Sequence, residues 1–409
     1  MQRNANGQQR FATAWYLGSV ASFMVPAGIQ MVLLPYLLTI ELHQPALRFG
    51  LTQMFGQMPV LMFLLFGGWL ADRVDPRRML IGLHAAALVM PAVLAVVVWR
   101  GTVTEAVLVA YALAWGLVTA FAMPARDGLL RRVAGSNIQR MVIWAIGTQF
   151  GMQMIGQALG GRVAQWGPVG ILLMQCAVLA MGIHTASRLP PMVAAPLPHA
   201  GPWYLAAWRG LGAGLPLIFH DAPMRAAFLI MLGVGVFFGG VLPVLIPLAV
   251  RDLFGGGAQD IATGFMMFGA GTLSCIALLT SRGGLAFPGR ALVLSMASGC
   301  AALVPIFFAP PGWVFHICLF VWGMSGGLAM AMSRTILQEQ APATHQSRVM
   351  AAHALSTAGG GPVGAAMMGL AVSVMGVRWA VLVPVAGVTL TTLAVVATHA
   401  VWQVRSRSV

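Results

Sequence analysis

The chain contains no lysine, and only nine of its 409 residues are acidic. Its entire basic complement is 23 arginines, so charged residues make up 8% of the sequence against 59% hydrophobic. A water-soluble protein of this length needs a far larger polar surface. The shortage of charge excludes a soluble globular fold and places the chain in a lipid bilayer. The formal net charge of +14 does not imply nucleic acid. The arginines stand in short clusters between apolar runs, with no basic face interleaved with aromatics.

Cysteine is scarce too. Cys176, Cys275, Cys300 and Cys318 each lie alone inside a hydrophobic segment, with no CxxC or Cys/His spacing. Neither a disulfide framework nor a metal site follows, and the four read as small packing residues. There is no Walker A motif, so ATP is not the direct energy source. No nucleophile–base pattern or cofactor motif appears, and an enzyme is not expected. The polar start MQRNANGQQR leads into a run too long for a signal-peptide core, so the first run stays in the membrane as a helix.

What is abundant is long apolar sequence. A spanning helix takes about 20 residues. On that basis twelve spans are expected, near 14–40, 47–70, 77–99, 103–124, 141–164, 167–187, 225–250, 260–280, 290–309, 312–333, 347–373 and 377–401. The proline-rich segment 188–224 divides them into bundles at 1–187 and 225–409. With the N-terminus inside, 18 arginines fall on the cytoplasmic side. Arg48, Arg100, Arg162, Arg251 and Arg378 stay outside. That bias places both termini in the cytoplasm. The reading is an all-α membrane protein of twelve transmembrane helices in two six-helix bundles.

The halves are related. An offset of 208 residues lays PARDGLLRRVAGSNIQRM on MSRTILQEQAPATHQSRV, pairing Arg126 with Arg334 and Arg140 with Arg348. The same offset pairs Gly151, Gly156 and Gly161 with Gly359, Gly364 and Gly369. With Gly160, Gly361 and Pro362, these form a candidate helix-packing motif in spans five and eleven. Small residues let helices approach closely in lipid. Repetition in both halves also fits transporters built from related bundles around a midplane site.

The densest charge lies in GGWLADRVDPRRM, Gly67 to Met79, between spans two and three. Topology accounts for Arg77 and Arg78, but acidic residues contribute little to orientation, which leaves Asp72 and Asp75 unexplained. This stretch resembles the loop-two/three signature of the major facilitator superfamily, Gly-x-Leu-Ala-Asp-Arg-x-Gly-Arg-Arg. Gly68, Leu70, Ala71, Asp72, Arg73, Arg77 and Arg78 match it, and Pro76 replaces the second glycine. FAMPARDGLLRRV, VLPVLIPLAVRDLFGG and QEQAPATHQSRVMA are similar to the branch containing the enterobactin exporter and macrolide-efflux proteins. Gly156-Gln157-Ala158-Leu159-Gly160-Gly161 is similar to the antiporter motif Gly-Pro-x-x-Gly-Gly, with Gln157 in place of its proline. The resemblance implies alternating access around a central cavity and puts Gly68, Asp72, Arg73, Arg77 and Arg78 at a cytoplasmic gate. Arg126 and Asp127, at the inner end of span four, are further gate candidates, as an ion pair or a phosphate-level anchor.

Intramembrane polar residues are the default site candidates. Span two carries Gln53 and Gln57, and span five carries Gln149, Gln153 and Gln157 at i, i+4 and i+8. Gln30, Gln175, His316 and His353 stand singly, and Tyr111, Trp115 and Trp322 can supply aromatic walls. Each glutamine either bonds a neighbouring helix or lines the cavity. No acid lies at mid-membrane. Glu41 and Asp127, at opposite ends of spans one and four, are therefore the proton-coupling candidates. The functional expectation is a monomeric secondary transporter in a bacterial inner membrane, in contact with lipids and driven by the proton gradient. Its cargo is expected to be a small amphipathic molecule, such as a siderophore, antibiotic or related metabolite, exported by antiport. The alternative is an importer or lysophospholipid flippase of the same fold.

Overall fold

The structure, a computed structural model, describes residues 2–71, 73–134, 138–189, 215–282, 285–342, 345–397, 402 and 404. Among these residues there is no strand. Water is absent from the hydrocarbon core, so each span must satisfy its own backbone, and only a helix does this within one segment.

Twelve helical spans follow one another among the described residues. The first bundle holds α1 (Gln2–Tyr36), α2 (Ala46–Ala71), α3 (Pro76–Trp99), α4 (Glu105–Ala134), α5 (Ile138–Gly160) and α6 (Val163–Ser187). A π turn, Leu37–Glu41, ends α1. The second bundle holds α7 (Ala222–Phe254), α8 (Ala258–Ser281), α9 (Pro288–Phe308), α10 (Gly312–Gln340), α11 (Gln346–Ala380) and α12 (Leu382–Val396). Two differences from the expected spans matter. Helix α4 continues well beyond 124, to Ala134, which keeps Arg126 and Asp127 on the helix. Helix α12 ends at Val396, short of 401. Most of the 188–224 connection lies outside the described residues; within it, 215–220 is helical.

The caps are written in the sequence. Asp75 accepts from the Arg77 backbone N–H and Pro76 opens α3; Asp221 accepts from the Met224 N–H and caps α7, which has a proline in its first turn. An acceptor at the cap followed by an early proline is a helix start for physical reasons. The carboxylate satisfies an orphan donor, and proline has no N–H to leave unsatisfied. Asp75 therefore has a local role that loop topology did not supply.

By packing, the chain forms two compact units, Met1–Leu38 with Phe55–Tyr204, and Thr39–Met54 with Leu205–Val409. The division differs from a cut at 187 chiefly in one respect: residues 39–54 belong with the second unit. Their reasons are specific. A methyl group on Gly50 would stand 2.7 Å from the Ala365 carbonyl and the Gly369 Cα, so the two helices touch backbone to backbone there. Gln53 Nε2 donates to the Pro243 carbonyl at 3.2 Å, and Arg251 donates to the carbonyls of Thr39 and Gln44.

Within the first unit, α1 packs on α5 through Gly28, Gly156 and Gly160. A Cβ on Gly156 collides with the Val25 carbonyl, and one on Gly28 collides with the Gln153 carbonyl. Within the second unit, Gly364 of α11 occupies the equivalent place, where a Cβ would stand 2.5 Å from the Val236 carbonyl of α7. The 208-residue offset thus pairs two glycines that serve the same contact in each half. Gly360 and Gly361 of α11 likewise approach Gly235 and Gly239, and Pro362 is buried. Gly151, by contrast, faces open space and packs on nothing. Gly161 is buried just past the end of α5, and Gly359 is half-buried.

Candidate substrate site in the first unit

One face of α1 organises the site. Tyr16, Ser19, Phe23, Pro26 and Gln30 follow at spacings of three and four, so they stack along a single stripe. All five are buried.

Toward the C-terminal end of this stripe lies a set of amides whose partners are missing among the described residues. Gln175 of α6 is fully buried and donates through Nε2 to the Pro26 carbonyl at 3.0 Å, but its Oε1 accepts nothing. Tyr111 of α4 is buried within interaction range of the Gln175 side chain, and its hydroxyl completes no hydrogen bond. Gln30 leaves both side-chain polar atoms unpartnered. On α5, Gln153 and Gln157 both point amide nitrogens at the Met31 sulfur, and Gln157 Oε1 is left over. A buried polar atom without a partner costs about 1–3 kcal/mol. Native proteins keep few of them, so a cluster of such atoms in a membrane interior is a candidate place for a ligand or water.

An aromatic ladder leads from the amides toward the N-terminal end of α1. Tyr111 and Trp115 stack with centroids 6.5 Å apart, and Trp115 stacks on Phe23 at 5.9 Å. Phe23 meets the edge of His84 at 5.7 Å. His84 is fully buried, with Nδ1 2.8 Å from the Leu80 carbonyl and Nε2 3.3 Å from Ser22 Oγ. A carbonyl only accepts, so Nδ1 carries the proton and Nε2 faces the serine. The ladder ends on Arg126, whose guanidinium carbon lies 5.2 Å from the Phe23 ring centroid.

Arg126 is the residue whose setting departs most from the sequence reading. It sits inside α4 and is only 6% exposed. Its Nε donates to the Ala122 carbonyl one turn back, and the Tyr16 hydroxyl donates to the Arg126 carbonyl at 3.4 Å. Asp127 is exposed on the next position, within electrostatic range of Arg126 and Tyr16.

The other candidates divide between the units. In the first, Gln57 and Gln149 are half-buried. Glu41 is exposed in the π turn after α1, within the 39–54 segment that belongs to the second unit. Elsewhere in the second unit, Trp322 is buried between Phe238 and Phe268, at 5.6 and 4.7 Å. His316 is half-buried with Nε2 unpartnered, and His353 is buried with Nδ1 unpartnered. Gln53 is committed to the Pro243 carbonyl, which assigns it an interhelical bond. Among the gate candidates, Asp72 lies outside the described residues, and Gly68 falls within α2. Arg73 lies over the Trp69 ring at 4.1 Å and donates to the Trp69 carbonyl, while Arg77 donates to the Ser187 carbonyl at the end of α6. Arg78 is exposed.

Sequence reasoning missed Tyr16, Ser19, Ser22, Phe23 and His84. For Tyr16, Ser19 and Phe23 the signal was present as the three–four spacing on α1, but a serine or phenylalanine in an apolar run carries no mark of its own; His84, an ionisable residue within span three, did carry one. Only the side chains that α3, α4 and α6 bring to that face, His84, Trp115 and Gln175, select it.

Two bundles of apolar helices with related halves, one carrying a buried polar track, define a polytopic membrane protein of the transporter kind. The Major Facilitator Superfamily model matches residues 16–365, and the chain belongs to that family. Among solved structures it is similar to the nucleoside transporter NupG, at 12% identity with a TM-score of 0.72, covering 97% of this chain and 99% of that one. A point mutant of NupG gives 0.73 at 12% identity, covering 95% and 99%. A bacterial homolog to the human lysosomal transporter Spinster, in an inward-facing and unoccupied conformation, gives 0.66 at 13% identity and covers 97% of both chains. These likenesses establish the fold. No curated protein matches the chain in sequence.

Proposed function

We propose that the protein is a secondary active exporter of a small amphipathic molecule, working by alternating access with proton antiport. The observation that carries the reading is the track in the first unit: unpartnered buried amides at one end and a stacked aromatic ladder beside them. Such a surface offers hydrogen bonds to a polar substrate edge and flat apolar walls to its body. Export rests on the likeness of FAMPARDGLLRRV, VLPVLIPLAVRDLFGG and QEQAPATHQSRVMA to the enterobactin-exporter and macrolide-efflux branch, and antiport on the likeness of Gly156–Gly161 to the antiporter motif. In this reading Asp72 and Arg73 hold the cytoplasmic gate, Glu41 and Asp127 are the candidates for proton exchange, and the protein lies in a bacterial inner membrane. The alternative of a lysophospholipid flippase draws on one feature, the buried cation Arg126.

The test compares excreted and retained metabolites in cells with and without the protein. A compound that accumulates inside when the protein is absent establishes export, and one that fails to enter establishes import. An unchanged profile in both compartments overturns the transport reading for the compounds surveyed. Asp72→Asn is expected to reduce transport severalfold while the protein still inserts normally, measured as membrane-fraction abundance beside vesicle transport. Full transport by that variant removes Asp72 from the gate.

A further inference from the structure

We infer that Arg126 is an oxyanion subsite, so that the cargo carries a carboxylate or phosphate group at the end held by the inner part of the first unit. The inference rests on the proposed transport of an amphipathic molecule and specifies its charge.

A buried cation within a span is expensive, and the usual remedy is a carboxylate partner or several carbonyls. Among the described residues Arg126 has a thin substitute. One nitrogen bonds the Ala122 carbonyl of its own helix, the Phe23 ring supports the plane from 5.2 Å, and Nη1 is buried with no hydrogen-bond partner. A guanidinium presents five donors in a planar fork that suits carboxylate and phosphate oxygens. The unfilled Nη1 is therefore a donor held ready. The Tyr16 hydroxyl is held only by a long 3.4 Å bond to the Arg126 carbonyl and is available as a second donor. Asp127, the nearest acid in sequence, is exposed and acts on Arg126 electrostatically, while the buried Nη1 makes no hydrogen bond.

The surroundings fix the kind of anion. Phe23, Trp115 and Tyr111 form a continuous stacked wall beginning at the guanidinium. A bare inorganic ion would leave that wall unused, whereas an anionic head on a flat or apolar body would use both. The unpartnered amides of Gln30 and Gln175 lie beyond, where the neutral polar part of such a molecule would bond.

The test uses the purified full-length protein and three probes of one shape: 1-naphthylacetate, 1-naphthyl phosphate and the neutral 1-naphthylacetamide. Binding is followed by titration calorimetry. Each anion is expected to bind at least about tenfold more tightly than the amide, the scale of one charge-assisted hydrogen bond. Tighter binding of the acetate identifies a carboxylate cargo, and tighter binding of the phosphate identifies a phosphate ester such as a lipid headgroup. Arg126→Gln is expected to bring the affinity for both anions down to that for the amide, and Arg126→Lys to retain part of the preference. The comparison within the unsubstituted protein stands even if Arg126→Gln does not fold. Equal binding of anions and amide, no binding of any probe, or an anion preference that survives Arg126→Gln overturns the subsite. Vesicle transport of the amide without any anion preference overturns the subsite alone and leaves the transport reading in place.

Discussion

Asp75 and Gly156 illustrate two ways in which a single residue acts in this protein. Asp75 satisfies the Arg77 N–H at the start of α3, an interaction local enough to be read from Asp-Pro followed by a long apolar run. Asp75→Ala is expected to lower stability by about 1 kcal/mol, the usual loss on removing a cap, seen as a small drop in thermal midpoint in detergent. Asn in its place should recover most of the loss. Gly156 acts at a distance: its missing side chain lets α1 and α5 touch at the Val25 carbonyl. Gly156→Ala is expected to cost about 1–3 kcal/mol as the helices are forced apart. Gly151→Ala, facing open space little more than a turn earlier, should be neutral by the same measurement. The two glycines look alike in sequence, and both pair with a glycine in the second half. Only tertiary contact distinguishes them. The same holds for Arg126, whose position at the end of an apolar run suggests the membrane edge, while the continuation of α4 to Ala134 makes it part of the buried helix.

At the scale of elements, the boundaries were largely legible because long apolar runs leave the backbone one solution. The finer shape of the helices depends on a few positions. Gly167 and Gly376 have φ of 71° and 78°, with ψ of 154° and 164°, inside segments otherwise helical. Both lie at the passage into the last span of their half. That backbone region is essentially open only to glycine, so Gly167→Ala and Gly376→Ala are each expected to lose about 1–3 kcal/mol, read from thermal unfolding in detergent. The effects should be similar in the two halves if the repeat is structural. Helix α7 departs from regularity for a different reason. Two π turns, Val234–Phe238 and Val241–Leu245, flank Gly239 and Gly240, and Pro243 removes another backbone donor. Such turns recur at functional sites. Here they accompany the close approach of α7 to the glycines of α11. Chain order assigns helix α2 wholly to the first bundle, because it precedes the linker by several spans. Its first turns instead pack with the second unit, through a glycine-to-glycine contact that chain order cannot reveal.

For the whole molecule, arginine placement predicts the orientation. Reporter domains fused to either terminus are expected to read as cytoplasmic, with an even number of spans between them. A signal from the opposite side of the membrane at one end would contradict an even span count, and at both ends would invert the orientation. Apolar run length and the 208-residue repeat were enough to establish that this chain enters a bilayer, that it is helical, and that its halves are related. The physical reason is that lipid offers the backbone no hydrogen bonds, so length and apolarity translate directly into spans. The family was equally legible, because its loop-two/three motif is contiguous. The polar track was legible only in part: Gln30, Gln153, Gln157, Gln175, Tyr111, Trp115 and Arg126 stand out in the sequence as candidates, but their arrangement around one face of α1 does not. Its members come from α1, α3, α4, α5 and α6, and what makes them a site is that several buried atoms lack partners. A partner's absence is a property of the packed structure: it depends on which helix faces reach each other, and no single run of residues carries that information.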